Sequence, residues 1–513
     1  MSTTNRQTQG GIYSRKMLFR FVRVRLSRKL WATYKFRNRD IISRPLALLL
    51  GMLIGPAFAL PAGEVVVGGS VTVNRPTVDS LTVNQGTARA AINWQSFGIG
   101  TGQSVTFVQP SATSVILNRV VGNDSSAIYG SLKANGQVFL LNSNGVYFSP
   151  TASVDTGALV ASSLAMSTAD FMSGRMLFTA PQGMTPGSVV NQGTIISAAN
   201  GYVMLAAPRV SNEGVISAPG GSVGLVAGSR VLMDRAGDGL MRFSVDAGAV
   251  GAIVSNSGVI SADGGRVMLA ASALDGALTT VVNQTGLIKA NSVGKQGGVI
   301  TLRAIGGDAV VDGGRMEANG TGDGGTGGTV QVLGDRVGLF NGASISATGT
   351  DGGGTVLIGG DFQGKNPDVQ NASSTFVGKA VTINADASGN GDGGKVVVWA
   401  NGVTRYFGAI SVRGGNAGGN GGHVEVSGKG DLVYRGTVDA TASRGQVGTL
   451  LLDPTNINVA SVDPADGSYT SALTDVDQFS DPNIGAGLTT INVASINGAG
   501  ANVTLQEIGR AHV

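Results

Sequence analysis

Seven times the chain repeats one short phrase: two glycines, any residue, an apolar residue, any residue, an apolar residue. The copies begin at Gly220, Gly264, Gly297, Gly327, Gly353, Gly393 and Gly421, and Asn-Gly replaces Gly-Gly in two relatives at Asn135 and Asn200. Each copy reads as a turn followed by a short strand with one buried face, because alternate side chains of a strand point to opposite sides. Many copies follow a second phrase, Asn-x-Gly-x-Ile-x-Ala, seen from Asn191, Asn212 and Asn256 and more loosely from Asn341. Repetition at tens of residues marks a solenoid, whose units bury their apolar sides only by stacking.

Two strands per unit, with glycine supplying left-handed corners, predict a right-handed parallel β-helix. The spacing of successive first glycines is uneven, longest from Gly220 to Gly264 and shortest from Gly327 to Gly353. That unevenness fits coils of constant girth with variable loops outside the stack, and a β-propeller would keep a steadier period. At about 20–22 residues per coil and a rise near 4.8 Å, the sequence predicts roughly 18 coils over about 90 Å. Extra strands from about 64 to 90 are expected to cap the N-terminal end. Local interruptions are expected at Asn135-Gly136 and at Thr168–Arg175, the latter a short helix. Glycine is 82 of 513 residues and charged residues only 13%, too thin a mixture for a conventional globular core. Collagen is excluded because glycine has no period of three.

The basic balance is confined to one end. Residues 1–44 hold 12 of the 36 Lys and Arg against one acid, Asp40, so the remainder carries 24 basic and 31 acidic residues. Nothing there groups cations with aromatics as a nucleic-acid groove does, so no nucleic-acid partner is expected. The cationic lead runs into the apolar stretch 46–59, too short to span a bilayer, which takes about 20 residues. It ends in Ala57-Phe58-Ala59, the small-x-small pattern of a signal-peptidase site. We therefore expect an extended signal peptide over 1–59, with Ala57 and Ala59 at the cleavage site, and an exported chain. Cysteine is absent, which suits either threading through a pore or a solenoid with no need of cross-links.

Between Ala91 and Leu164 the residues become individual. They read Ile92-Asn93-Trp94-Gln95-Ser96-Phe97, Asn118-Arg119-Val120-Val121-Gly122, Gly136-Gln137-Val138-Phe139-Leu140-Leu141 and Asn142-Ser143-Asn144-Gly145-Val146-Tyr147-Phe148. This ordered set resembles the haemagglutination-activity, or secretion, domain of filamentous haemagglutinin-like exoproteins, which leave Gram-negative bacteria by two-partner secretion. Asp392–Ala400, Gly421–Lys429 and Leu450–Pro454 resemble the later coils of that family. Where the family commonly has Asn-Pro-Asn-Gly this chain has Ser143; proline would pre-set the turn, and Asn144-Gly145 is expected to keep it.

The resemblance implies a secretion domain over 60–175, its functional part extending to about 300, and further coils over 176–456. It implies a partner, an outer-membrane β-barrel transporter with periplasmic polypeptide-binding domains, and a secreted or surface-displayed product. That product would act as an adhesin or haemagglutinin on host or neighbouring-cell receptors or glycans. Asn118, Arg119, Asn142, Asn144 and Gly145 are the expected transporter-recognition residues or the turns supporting them. The competing readings are the stalk of a contact-dependent growth-inhibition toxin and a β-helical polysaccharide-degrading enzyme.

The enzyme reading needs carboxylates along one strand face. Asp263, Asp323, Asp351 and Asp392 instead each precede Gly-Gly, where Asp favours a turn, and His423 falls opposite the buried side of its strand. No catalytic residue, cofactor or metal site is expected. Residues 457–506 are expected to begin a further region. The end, Glu507–Val513, back-translates to a string resembling a sequencing-library adapter and is expected to be an artefact.

Overall fold

The computed structural model describes residues 60–274, 280–292, 297–455, 457–460 and 490–506. The expected signal peptide with Ala57 and Ala59, and the tail 507–513, lie outside them. Three long sheets of 15, 11 and 14 strands run side by side, and almost every neighbouring pair is parallel. Most coils thus contribute three short strands, not two. The Gly-Gly phrase forms the first, as in Arg266–Ser272, and the Ile of the second phrase lies in the third, as in Val259–Ser261. Between them runs a strand with weaker sequence signature, such as Arg336–Phe340.

Register turns the phrase into columns. Val267 pairs with Ile300, and the column continues through Val330, Val356, Val396 and Val424, all buried. Two residues further on, Leu269, Leu302, Val332, Ile358, Val398 and Val426 form a second column. Ile216, Ile260 and Ile288 do the same in the third sheet. Each such side chain stabilises by roughly 1.5–3 kcal/mol when fully buried. A lone coil exposes both its ends, so the gain is realised only in the stack.

Glycine is required here chiefly by closeness. A Cβ on Gly265 would lie 1.9 Å from the Gly221 carbonyl oxygen, and one on Gly353 would lie 1.8 Å from that of Ala385. Gly220 and Gly264 do have positive φ, whereas Gly353, Gly393 and Gly421 do not. The left-handed corners expected at every copy therefore occur only in some; backbone-on-backbone packing accounts for the others.

Coil length is not constant. The step from Val203 to its partner Val223 is short and that from Val138 to Leu159 similar, whereas the step from Val267 to Ile300 is much longer. The first sheet accordingly contains 14 strands in parallel register, from Arg89–Trp94 to Asn502–Leu505, rather than 18. That last strand pairs with Thr449–Leu452, so the ladder resumes beyond 456. At the other end Val65–Gly68 pairs antiparallel with Arg89–Trp94, and Val71–Thr77 with Ser80–Gln85, which forms the expected cap. Asn135-Gly136 is no interruption. The Asn135 side chain exchanges two 2.8 Å hydrogen bonds with the backbone of Gln109, and the Gly157 N–H donates to the Gly136 carbonyl at 2.8 Å, so this corner lies within the stack.

Two excursions leave the coil and return to cover its outer surface. One holds the expected helix, Thr168–Ser173, and the strand Leu177–Thr179; the other is the hairpin Arg230–Arg235 and Met241–Ala247. Ser167 caps the helix by accepting from the Asp170 N–H, and Gly174 ends it at φ 87°. The three strands form an antiparallel sheet over the first wall of the solenoid. Beneath them the outward-pointing side chains Leu117, Phe139, Val160 and Met204 are fully buried with Phe171, Phe178 and Phe243. The Phe139 and Phe171 rings meet edge to face at 5.7 Å. The chain thus has a second apolar core outside the coil, at sites where strand alternation alone would place solvent.

Candidate functional site

The residues singled out from the sequence converge on the coils under this outer layer. Asn118 occupies the second interior column, between Ile92 and Leu140, and is fully buried. Its Oδ1 accepts from the Trp94 indole N–H at 3.0 Å, and its Nδ2 donates to the Phe139 carbonyl at 3.3 Å. An amide in an aliphatic column is tolerable only with such partners. In the folded protein no partner can touch Asn118.

Arg119 points the other way and is half-buried. Its guanidinium donates to Asn93 Oδ1 and Thr168 Oγ1, both at 3.1 Å, and to the Met166 carbonyl at 2.6 Å. Burial lowers its pKa from the usual arginine value. Arg119 therefore ties the start of the helical excursion to the coil.

Asn142, Asn144 and Gly145 build one turn. The Asn142 Oδ1 accepts from the Asn144 N–H at 3.0 Å, and its Nδ2 donates to the Asp124 carbonyl and Ser126 hydroxyl. Asn144 Nδ2 donates to the Gly122 carbonyl at 3.0 Å. Gly145, at φ 109°, donates to the Asn142 carbonyl and lies where a Cβ would come within 2.8 Å of the Ser188 carbonyl. The turn thus forms with Ser143 in place of proline, and its two amides hold the 122–126 segment of the coil before.

A feature that was not read from the sequence lies above it. The Asn of the second phrase faces inward, and Asn191, Asn212, Asn256 and Gln284 stack in successive coils, all at most 1% exposed. Each Nδ2 donates to the next side-chain oxygen, at 2.8, 2.7 and 2.8 Å, and Gln284 closes the series on the Gly286 carbonyl at 2.8 Å. The recurrent Asn was visible in the sequence; that the copies hydrogen-bond one another required the register.

Of the acids expected to serve turns, Asp263 and Asp392 bind the backbone of the next coil. Asp263 Oδ1 accepts from the Asn291 N–H at 2.9 Å, and Asp392 Oδ1 from that of Asn420 at 2.6 Å. His423 is exposed and its ring meets the Thr449 hydroxyl. Among the described residues no group of three or more His, Cys, Asp or Glu could hold a metal ion. None of their helices is long and apolar enough to cross a membrane.

A family model described as the TPS secretion domain matches residues 57–312, a span that contains the cap, both excursions and the amide ladder. The crystal structure of the HMW1 secretion domain from Haemophilus influenzae superposes with a TM-score of 0.66 at 32% identity, covering 77% of this chain and all of that one. The chain belongs to the TPS secretion domain family. Proteins with this domain are exported through the outer membrane by two-partner secretion, to the cell surface or the medium, and an outer-membrane transporter is the second partner. Two heme/hemopexin-binding proteins of Haemophilus influenzae are also similar. One is 39% identical over 118 residues, 22% of this chain and 13% of the relative; the other, from strain Rd, is 36% identical over 175 residues, 33% and 19%. The chain thus matches less than a fifth of each relative's length. Within the secretion domain, Asn118 and Asn142 are internal fixtures of the fold, Asn144 is half-buried, and Arg119 joins coil to outer layer.

Proposed function

We propose that a dedicated outer-membrane β-barrel, bearing periplasmic polypeptide-binding domains, captures this chain unfolded and releases it outside, where it acts in attachment or aggregation. One observation carries the reading beyond family membership. Every parallel strand of the three walls pairs only with the coil before and the coil after. Such a stack can grow from its capped end by nearest-neighbour contacts, so each emerging coil buries itself without waiting for the rest. The burial of Asn118 supports capture before folding, since recognition through that side chain requires the column to be open. Asp263 and Asp392 each commit a carboxylate oxygen to a backbone N–H of the next coil, which supports a non-enzymatic role. The similar Haemophilus proteins are named for binding heme or hemopexin, but each alignment covers less than a fifth of the relative, and we do not extend that ligand to this chain.

Co-expression with the transporter in a Gram-negative host tests the export reading. Wild-type chain should reach the medium or surface only when the transporter is present. Asn118→Ala and Asn142→Ala should lower release while the Val330→Ala control, a core substitution beyond the matched domain, lowers it less. Equal release with and without the transporter overturns the export mechanism, and undiminished release of both asparagine variants removes them from it. Settling of cells displaying the chain tests the attachment reading, and loss of viscosity of acidic polysaccharides would support the enzyme reading instead.

A further inference from the structure

On the outer face of the first wall, beyond the secretion domain, one segment crosses three coils. Residues 359–373 leave the strand Thr355–Ile358, pass through a short turn of 3₁₀-helix at Phe362–Gly364 and return at Ser374–Val377. They cover an apolar patch of Leu357, Val397 and Trp399, with Val369 packed on it. Gly360 and Gly364 lie flat against Trp399; a Cβ on either would come within 2.6 Å of the indole.

The moorings of this segment are polar, and two of them are anomalous. Lys395 Nζ pairs with Asp361 Oδ1 at 2.6 Å. Gln363, held at φ 52° although it is not glycine, donates its N–H to Glu425 Oε2 and its Nε2 to Asp453 Oδ2, both at 2.9 Å. Glu425 and Asp453 are each 1% exposed, and the second oxygen of each carboxyl, Oε1 and Oδ1, has no hydrogen-bond partner. A buried carboxylate with one oxygen left without a donor is poorly compensated, whereas a neutral carboxyl fits. No role in the coil stack calls for Glu425, which follows Val397 in an outward column.

We propose that residues 359–373 form a pH-gated strap, seated over Leu357, Val397 and Trp399 in acid and released as the Glu425 carboxyl ionises. Burial, with the Asp453 charge assisting, pushes Glu425 up to about 7, against the pull of the Gln363 N–H, the Ser427 hydroxyl and Lys395. Burial also raises Asp453 from its ordinary value. Lys395 on the coil before and Asp453 on the coil after act on Glu425 directly; on the strap, Asp361 pairs with Lys395 and Lys365 acts on Asp453, and His423 lies on the Glu425 strand. Ionisation converts a tolerated neutral group into a buried anion beside a second acid. Lifting the strap hydrates both acids, relieves the left-handed Gln363 and bares an aromatic patch on the exported shaft.

Acrylamide quenching of Trp399 in the full chain, taken as wild type minus Trp399→Phe, tests the gate across about pH 5 to 9. Quenching should rise between the ordinary carboxyl value of 4.5 and about 7, and Glu425→Gln should abolish the rise and keep quenching low throughout. Asp453→Asn should move the midpoint to lower pH by removing the assisting charge, and His423→Gln should leave it in place. A signal flat with pH in wild type, a rise that survives in Glu425→Gln, or a midpoint unmoved by Asp453→Asn each overturns the proposal. So does loss of the rise in His423→Gln.

Discussion

Replacing Asn212 by alanine strikes the middle of the buried amide ladder, and its consequence can be worked from the contacts. The side chain accepts from Asn191 Nδ2 at 2.8 Å and donates to Asn256 Oδ1 at 2.7 Å, with all three residues at most 1% exposed. Its loss leaves a donor on one side and an acceptor on the other without their main partner, each costing about 1–3 kcal/mol when buried. Asn191 keeps a weak bond to the Gly193 carbonyl at 3.3 Å, so the donor side falls at the low end. A total of about 3 kcal/mol is expected for the local coils. The solenoid need not unfold in one step, so local hydrogen exchange is the suitable assay. The amides of Glu213, Gly214, Ser257 and Gly258 donate to the Asn191 and Asn212 carbonyls, bonds that the substitution leaves in place. Their protection should fall on the order of 100-fold, since about 1.4 kcal/mol is tenfold. Asn212→Leu, which restores volume but not the bonds, should lower protection at least as far and so separates the hydrogen bonds from the cavity. Ser255→Ala, which loses a half-buried 3.1 Å contact to Ser211, should stay within about five-fold. If Asn212→Ala also stays within about five-fold, the ladder contributes no more than that surface contact and the reasoning fails.

Three further outcomes follow from the same packing. Gly224→Val would set a Cβ 2.6 Å from the Phe243 ring; the hairpin Arg230–Ala247 should detach, at a cost of about 1–3 kcal/mol, and become cleavable after Arg235 by trypsin at an early time point where wild type stays intact. Arg119→Met keeps the aliphatic stem but deletes three donated bonds, and should raise exchange in Thr168–Ser173 far more than in the coil strands beneath it. The folded-state pKa of Glu425 lies above its ordinary value, at about 7 against 4.5, so the native state holds a proton that the unfolded chain has lost. Stability of the coils around 425 should therefore be full below about pH 4.5 and fall by at most about 3 kcal/mol as pH rises to 7; hydrogen exchange corrected for intrinsic rate should show that fall, and Glu425→Gln should remove it.

What the sequence determined by itself is the set of relations that repeat. Alternation in Gly-Gly-x-Φ-x-Φ dictates an inward face, and recurrence of the phrase dictates that Val267, Val330, Val356 and Val424 share one column, because a period of two within a strand and one strand per coil are local rules. The helix at Thr168–Ser173 and the turn at Asn142–Gly145 were legible for the same reason: Ser167, Gly174 and the Asn-Gly pair carry their own backbone chemistry. Only the tertiary structure decided what covers the outward side. Phe139 and Met204 look misplaced on an exposed face until Phe171, Phe178 and Phe243 fold over them from later in the chain. Glu425 looks solvated until the strap of residues 359–373 closes on it from well before its own strand. Asn118 reads as a surface amide beside Arg119, yet register carries it into an aliphatic column against Trp94. Such contacts depend on which distant loop returns to which rung, and no local period encodes that.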